Sequence, residues 1–202
     1  MTLIIVIVAS IVSVMAFRDR SLMEKLQFNA SRVYHKKEWH RLVSHAFVHG
    51  SYEHLIINML VLYSFGMNVE RTFGDMFGRM SNAYFLLLFF GGVIFSSLYS
   101  LYKHRDNYYY NAVGASGGVA SVMFTAVFFE PWSKLLLFGI VPIPGIVFAV
   151  AYLAYSYHMA KKKVDNIGHD AHFLGAVFGF VYPILLNSSL FSHFIEKLFG
   201  RI

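Results

Sequence analysis

The sequence predicts an all-α membrane protein: a bundle of six transmembrane helices in a single domain over residues 1–202, with a structured loop between the first two helices. Three observations support this prediction. Hydrophobic residues make up 57% of the chain and charged residues only 14%, against about 25% charged residues in an average soluble domain. Six apolar segments follow one another, and several approach the length of about 20 residues that a membrane-spanning helix needs. The charged residues cluster between these segments.

The predicted spans cover residues 2–17, 54–67, 83–102, 113–129, 135–159 and 171–186. The first span follows Met1 directly, without the basic stretch that precedes the apolar core of a secretory signal. We therefore interpret it as a span, and a cleaved signal is the alternative. Residues 18–53 mix aromatic with basic side chains. Because both favour the headgroup region of a membrane, this composition predicts a structured interfacial loop.

Two segments are predicted to depart from straight spans. Pro142, Pro144 and Gly145 lie inside the fifth segment. Proline within a helical bundle usually produces a kink, so we expect a bent fifth helix. The tail after Leu186 combines phenylalanines with basic residues, which predicts a short segment lying on the surface.

Four polar residues are predicted to meet at one side of the membrane. With six spans, the second, fourth and sixth all begin on the same side. His54 and Asn58 lie at the start of the second span, Ser116 at the start of the fourth and His172 at the start of the sixth. Each one alone could serve helix packing, but polar groups within spans are costly and together indicate a functional site.

Ser116 and His172 predict nucleophilic catalysis. A serine hydroxyl attacks well only when a neighbouring base takes its proton, and a neutral imidazole is the usual base. Surfaces without side chains would let the two helices approach closely. The glycines concerned are Gly114, Gly117 and Gly118 around Ser116, and Gly175 and Gly179 after His172.

Three hydrogen-bond donors are candidates for stabilising an oxyanion. His54 and Asn58 are four residues apart, so they share one helical face, and both side chains can donate. The backbone N–H of Ser116 lies at a helix N-terminus, where it has no partner within the helix. We therefore predict electrophilic roles for His54 and Asn58.

No acidic residue is well placed to orient His172, so the sequence predicts a Ser–His dyad. Asp170 is two residues away and faces another side of the helix, while Asp165 lies in the preceding loop. Asp170 and His169 are predicted to cap the helix start or to face water.

No cofactor, metal or nucleic acid is predicted as a ligand. The chain has no cysteine, which excludes disulfides and thiolate metal sites. His45, His49 and His54 leave a metal site as an alternative, although no His-Glu-x-x-His motif occurs. We favour hydrogen bonds from His45 and His49 that fix the loop before the second span. The basic residues form short patches between apolar runs, a pattern typical of loops at a lipid bilayer.

Three motifs resemble the rhomboid family of intramembrane serine proteases. They are His54-x-x-x-Asn58, Gly114-Ala115-Ser116-Gly117 and Ala171-His172-x-x-Gly175-x-x-x-Gly179, in family order. Arg41, two positions after Trp39, resembles a motif of the family's first loop. The resemblance implies a rhomboid-like bundle that cleaves transmembrane segments of membrane proteins. It implies Ser116 as nucleophile, His172 as general base, and His54 with Asn58 completing the oxyanion site.

The sequence departs from the family at one position near the site. Many members carry an aromatic residue one turn after the nucleophile, and its ring stacks on the catalytic histidine. Here that position is Ala120, which leaves Phe124 and Phe173 as candidates for the missing ring.

The resemblance also implies a cytoplasmic N-terminus with the catalytic side outside, and we expect a multi-pass protein of a bacterial plasma membrane. Twelve of the 17 Lys and Arg residues lie in connections on the catalytic side, which argues for the reverse orientation by the positive-inside rule. Two other functions stay open. A non-catalytic factor of the same fold would bind client helices without cutting them, and a transporter or channel would have polar residues along a path across the bilayer.

Overall fold

The computed structural model describes residues 1–137, 140–162 and 168–200. These residues are mostly helical, and two short 3₁₀ turns, His45–Phe47 and Gly78–Met80, connect helices. The helices are α1 (Thr2–Arg18), α2 (Arg20–Leu26), α3 (Ala30–Lys36), α4 (Arg41–Ser44), α5 (Tyr52–Phe77), α6 (Ser81–His104), α7 (Ser116–Phe129), α8 (Gly145–Lys162), α9 (His169–Leu186) and α10 (Ser189–Phe199). The strands are β1 (Phe28–Asn29), β2 (Asn111–Ala112), β3 (Lys134–Leu137) and β4 (Val141–Pro144), which form two antiparallel pairs, β1–β2 and β3–β4.

Helix α7 forms the centre of the bundle. Twelve of its 14 residues are buried, and it packs against α5, α6 and α9. A helix that is apolar on all sides must be surrounded by other elements, because no polar face is left for water. The packing of these helices around α7 therefore fixes the position of its first residue, Ser116.

The outer helices expose large apolar side chains. On α1 these include Leu3, Ile4 and Ile7, and on α5 they include Ile56 and Leu60. Within the described residues, the continuous helical stretch 52–104 and His169–Leu186 are long and apolar enough to cross a membrane, while α1 and α7 are shorter apolar helices. The number of crossings stays a prediction.

Residues 18–53 fold into short helices and one strand, as predicted for a structured loop. Arg41 is buried and holds several parts of this loop together: its guanidinium donates to Glu38 Oε2 at 2.5 Å, to the carbonyl of Gln27 at 2.7 Å and to that of Glu24 at 2.8 Å. Strand β1 also pairs with β2, with Phe28 opposite Ala112. The loop is thereby attached to the segment that leads into α7.

The predicted fifth helix, 135–159, is wrong in its first part. Residues of this segment form the hairpin β3–β4, and α8 begins only at Gly145. Pro142 and Pro144 lack the N–H that a helix needs, whereas a two-stranded hairpin tolerates proline on its outer edges. The N–H groups of Gly145 and Ile146 then donate to the carbonyls of Ser133 and Pro131. The prolines therefore precede a helix and do not kink one.

Other predicted boundaries also differ from the structure. Helix α5 continues past 67 to Phe77, because polar residues there have partners: Glu70 accepts a hydrogen bond from the backbone N–H of Thr2 at 2.6 Å. Residues 113–115 are not helical, and α7 begins at Ser116. After α9, the tail forms α10, whose Phe194 stacks on Phe128 with ring centroids 5.0 Å apart.

Candidate active site

A cavity of about 780 Å³ opens beside the start of α7. Ser116, His54 and His172, which were predicted to share a site, all line it. The wall also contains three serines of α6 and the segment before Ser116, namely Ser96, Ser97, Ser100 and 109–114. Two other cavities, of about 240 and 510 Å³, contain none of the predicted site residues.

The turn before Ser116 has a backbone that requires glycine. Gly114 has a φ of +111°, and a Cβ there would lie 2.6 Å from Cε1 of His54. Its N–H donates to the carbonyl of His45 at 3.0 Å, and the N–H of Ala115 donates to Nε2 of His49 at 3.4 Å. Both the positive φ and the closeness of the imidazole exclude a side chain at this position. The first N–H groups of a helix have no intrahelical acceptor, and at the start of α7 no side chain caps them.

His49 and His45 are linked by hydrogen bonds to neighbouring helices, as predicted for residues that fix this loop. Ser13 Oγ donates to the carbonyl of Phe47 at 3.0 Å, so it accepts from Nδ1 of His49 at 2.8 Å. Nε2 of His49 is then the acceptor for Ala115 N–H. His45 Nε2 forms a hydrogen bond with Ser97 Oγ at 3.1 Å. The two bonds of His49 assign it the neutral tautomer with the proton on Nδ1.

We expect acid to destabilise the protein through these two histidines. Burial lowers the pKa of His45 to about 4, and burial together with the charges of His54 and His45 lowers that of His49 to about 3. The unfolded chain protonates both rings below a pH of about 6.5 while the folded chain keeps them neutral. Their contribution to stability is therefore complete above that pH and is lost as the pH falls toward the folded-state values, by roughly 2 kcal/mol per histidine at about pH 5.

The measurement is the melting temperature of the protein in detergent between about pH 7 and pH 5. The wild type should lose stability over this window. His49→Gln should melt at a lower temperature at neutral pH but show a flatter dependence on pH. Equal slopes for the two proteins would contradict a neutral, buried His49.

Helices α7 and α9 touch through backbone at the level of the site, as the glycine pattern predicted. A Cβ on Gly175 would lie 2.3 Å from the carbonyl oxygen of Gly117, and one on Gly179 would lie 2.0 Å from that of Ser121. Gly118 instead packs against α6: a Cβ on Gly118 would lie 2.8 Å from the carbonyl oxygen of Phe89. The close approach of α7 and α9 brings Ser116 and His172 to the wall of one cavity.

The His172 ring stacks on a residue that sequence reasoning missed. The ring of Tyr152, on α8, has its centroid 6.4 Å from that of His172 and an interplanar angle of 22°. The two candidates for this role pack elsewhere: Phe124 contacts Tyr152, and Phe173 contacts Tyr157. The signal available in the sequence was the group of three tyrosines on α8, which offered further rings as candidates.

Asn58 is not on the cavity wall, although its neighbour Ile57 is. It is buried, and its Nδ2 donates to the carbonyl of His54 at 2.9 Å. The structure thus brings His54, Ser116 and His172 to the cavity, but Asn58 is not one of the residues that line it.

The residues at the start of α9 correct two expectations. His169 is 4% exposed, so it does not face water, and the cap residue is Gly168, without a side-chain cap. Asp170 forms an ion pair with Lys103 at 3.2 Å, which joins α9 to the end of α6. Asp165 lies outside the described residues.

Comparison with known proteins gives the chain its family. A family model described as "Rhomboid domain" matches residues 36–189, a range that contains all four predicted site residues. The chain is 28% identical over 152 residues to RHOMBOID-like protein 12, mitochondrial, from Arabidopsis thaliana, a match that covers 68% of the chain and 43% of the relative.

Two further relatives come from a yeast and a bacterium. Rhomboid protein 1, mitochondrial, from Saccharomyces cerevisiae is 30% identical over 74% of the chain and 42% of its own length. Rhomboid protease GluP from Bacillus subtilis is 28% identical over 70% of the chain and 25% of its own length. The chain thus spans less than half the length of each of these curated relatives. Because the family model matches most of the sequence, the chain belongs to the rhomboid family.

Proposed function

We propose that this chain is an intramembrane serine endopeptidase, a six-span integral membrane protein that cleaves transmembrane segments of other membrane proteins. One observation supports this proposal: the cavity beside the start of the central helix α7 has Ser116, His54 and His172 on its wall. A nucleophile, a base and a donor on one cavity are the groups that acyl transfer requires. The named relatives come from mitochondria and from a bacterium, so the bacterial plasma membrane stays a prediction.

In the proposed reaction, Ser116 Oγ attacks the carbonyl carbon of the scissile bond while His172 takes its proton. The carbonyl oxygen becomes an oxyanion, which the N–H of Ser116 and the imidazole of His54 stabilise. The uncapped start of α7 adds the positive end of the helix dipole. His172 then returns the proton to the leaving amine, and the carbonyl stays bound to Ser116 as an ester.

A water molecule completes the proposed cycle. His172 takes one of its protons as the oxygen attacks the ester carbonyl, and the proton then returns to Ser116 Oγ as the acid product leaves. The polar serines of α6 on the cavity wall make a surface that water can wet. We assign Asn58 to this machinery through His54, because its amide donates to the carbonyl of that residue and lies one turn further along α5.

The proposal is tested by a serine-reactive fluorophosphonate probe and by a single-span model substrate, both applied to the purified protein in detergent. The wild type should be labelled and should release product, since an activated serine reacts with both. Ser116→Ala should be neither labelled nor active. Ser100→Ala is the matched control, because Ser100 lines the same cavity and should leave the labelling intact.

Two results would overturn the proposal. Labelling of Ser116→Ala to the level of the wild type would show that another residue reacts. A folded wild type that binds the substrate but is neither labelled nor active would instead indicate a non-catalytic binding factor.

A further inference from the structure

The ring of Tyr152 is an aromatic neighbour of His172, and it comes from α8, whereas the predicted candidates Phe124 and Phe173 belong to α7 and α9. The two ring planes are within 22° of parallel, with centroids 6.4 Å apart. Aromatic pairs at 4.5–7 Å commonly adopt such offset arrangements. This ring contact joins α8 to α9 at His172, which is the base in the proposed function.

Tyr152 is itself held by two phenylalanines. Its ring lies 5.6 Å from that of Phe124 on α7 and 5.8 Å from that of Phe148 on α8. A side chain packed against two rings loses most of its rotamer freedom. Tyr152 can therefore act as a fixed surface for the imidazole.

The residue of α7 one turn after Ser116 is Ala120, which has no ring to place on His172. Ala120 and Ala176 are buried in the same hydrophobic cluster, against which Tyr152 packs. Gly175, on α9, is in backbone contact with Gly117. Helix α8 instead brings the ring of Tyr152 to His172.

A second ring contact supports His172 from its own helix. The His169 ring lies 6.0 Å from that of His172 in an edge-on arrangement, and Tyr155 of α8 lies 5.5 Å from His169. Tyr152 and Tyr155 are three residues apart, so they lie on one side of α8. Helix α8 therefore supports His172 both directly and through His169.

We infer that Tyr152 is a positioning residue for the base: the ring of Tyr152, carried by α8, orients His172 toward Ser116. This inference rests on the proposed function. Without the ring, the imidazole gains rotamers that do not point at the serine, and a smaller fraction of molecules is ready to react. Substrate binding does not depend on that orientation, so the loss falls on kcat.

The experiment compares Tyr152→Leu with Tyr152→Phe in the cleavage assay on the detergent-purified protein. Leucine keeps apolar volume but removes the ring, and phenylalanine keeps the ring. We expect kcat to fall about tenfold in Tyr152→Leu with KM unchanged, and to stay within about twofold of the wild type in Tyr152→Phe. Tyr157→Leu is the matched control, because Tyr157 is on the same helix but contacts Phe173 and should keep its kcat.

Each outcome decides the inference. Wild-type kcat in Tyr152→Leu would overturn it, and so would an equal loss in the leucine and phenylalanine variants. Melting temperatures of the variants separate positioning from general destabilisation. If Tyr157→Leu melted at the same temperature as Tyr152→Leu and lost as much kcat, a specific role of Tyr152 would also be contradicted. A wild type without serine-dependent activity would overturn the proposed function as well, whereas an active wild type with unaffected Tyr152→Leu overturns this inference alone.

Discussion

Removing Ser116, His172 or both is expected to leave the same residual cleavage rate, at least about 10⁴-fold below that of the wild type. A nucleophile and its base act as one unit, because the base has nothing to activate once the hydroxyl is gone. Ser116→Ala, His172→Ala and the double variant should therefore give equal values of kcat. Single-turnover cleavage of a model transmembrane substrate measures all three.

The control for this comparison is His158→Ala. His158 is an exposed residue of α8, and its loss should leave kcat near the wild-type value. Additive losses in the double variant would contradict the dyad, because independent effects add in free energy. A residual rate above background that requires His172 but not Ser116 would contradict the choice of nucleophile.

The sequence predicted the meeting of Ser116, His54 and His172 because that prediction needs only the order of the helices. Alternate helices of a bundle begin at the same end, so the three polar residues lie on one side, and the packing of α7 against α5 and α9 brings them to one cavity. The contact between α7 and α9 was predictable for a similar reason. Glycines three and seven residues after His172 mark a face where backbone can meet backbone, and the structure places Gly117 opposite Gly175.

The start of α8 was not predictable from apolar content. The segment 134–144 is apolar, and short apolar runs suit a strand as well as a helix. The two prolines were interpreted as a kink, but their missing N–H groups favour the hairpin that precedes Gly145. The helix therefore begins at Gly145, after both prolines.

The position of Asn58 shows the limit of spacing arguments. Residues four apart on a helix share a face, as His54 and Asn58 do, but they differ in height by about 6 Å. The cavity wall includes His54 and, on the next turn, Ile57, but not Asn58. Helical periodicity gives the direction of a side chain, whereas the depth of a cavity depends on the packing of other helices.

Gly175→Ala is expected to lower kcat about 100-fold and to lower the melting temperature, although it adds one methyl group. The new Cβ would lie 2.3 Å from the carbonyl oxygen of Gly117 and 2.9 Å from its Cα. Backbone atoms cannot rotate away as a flexible side chain can, so α9 must move outward by about 1 Å to reach a normal contact. A displacement of this size at a catalytic pair can cost about 100-fold in rate. Cleavage kinetics and thermal unfolding of the purified variant give both quantities.

Gly74→Ala is the matched control for this change, since the same methyl group is added to a helix where it meets no atom within 4 Å. Alanine is the better helix former by about 0.5–1 kcal/mol, so this variant should be as active as the wild type and at least as stable. The contrast between the two variants isolates the helix contact from the general effect of replacing glycine. If Gly175→Ala kept its kcat, the approach of α7 and α9 would not control the geometry of Ser116 and His172. A loss of stability alone, with kcat intact, would assign the glycine to folding and leave the positioning of the pair to α8 and its tyrosine.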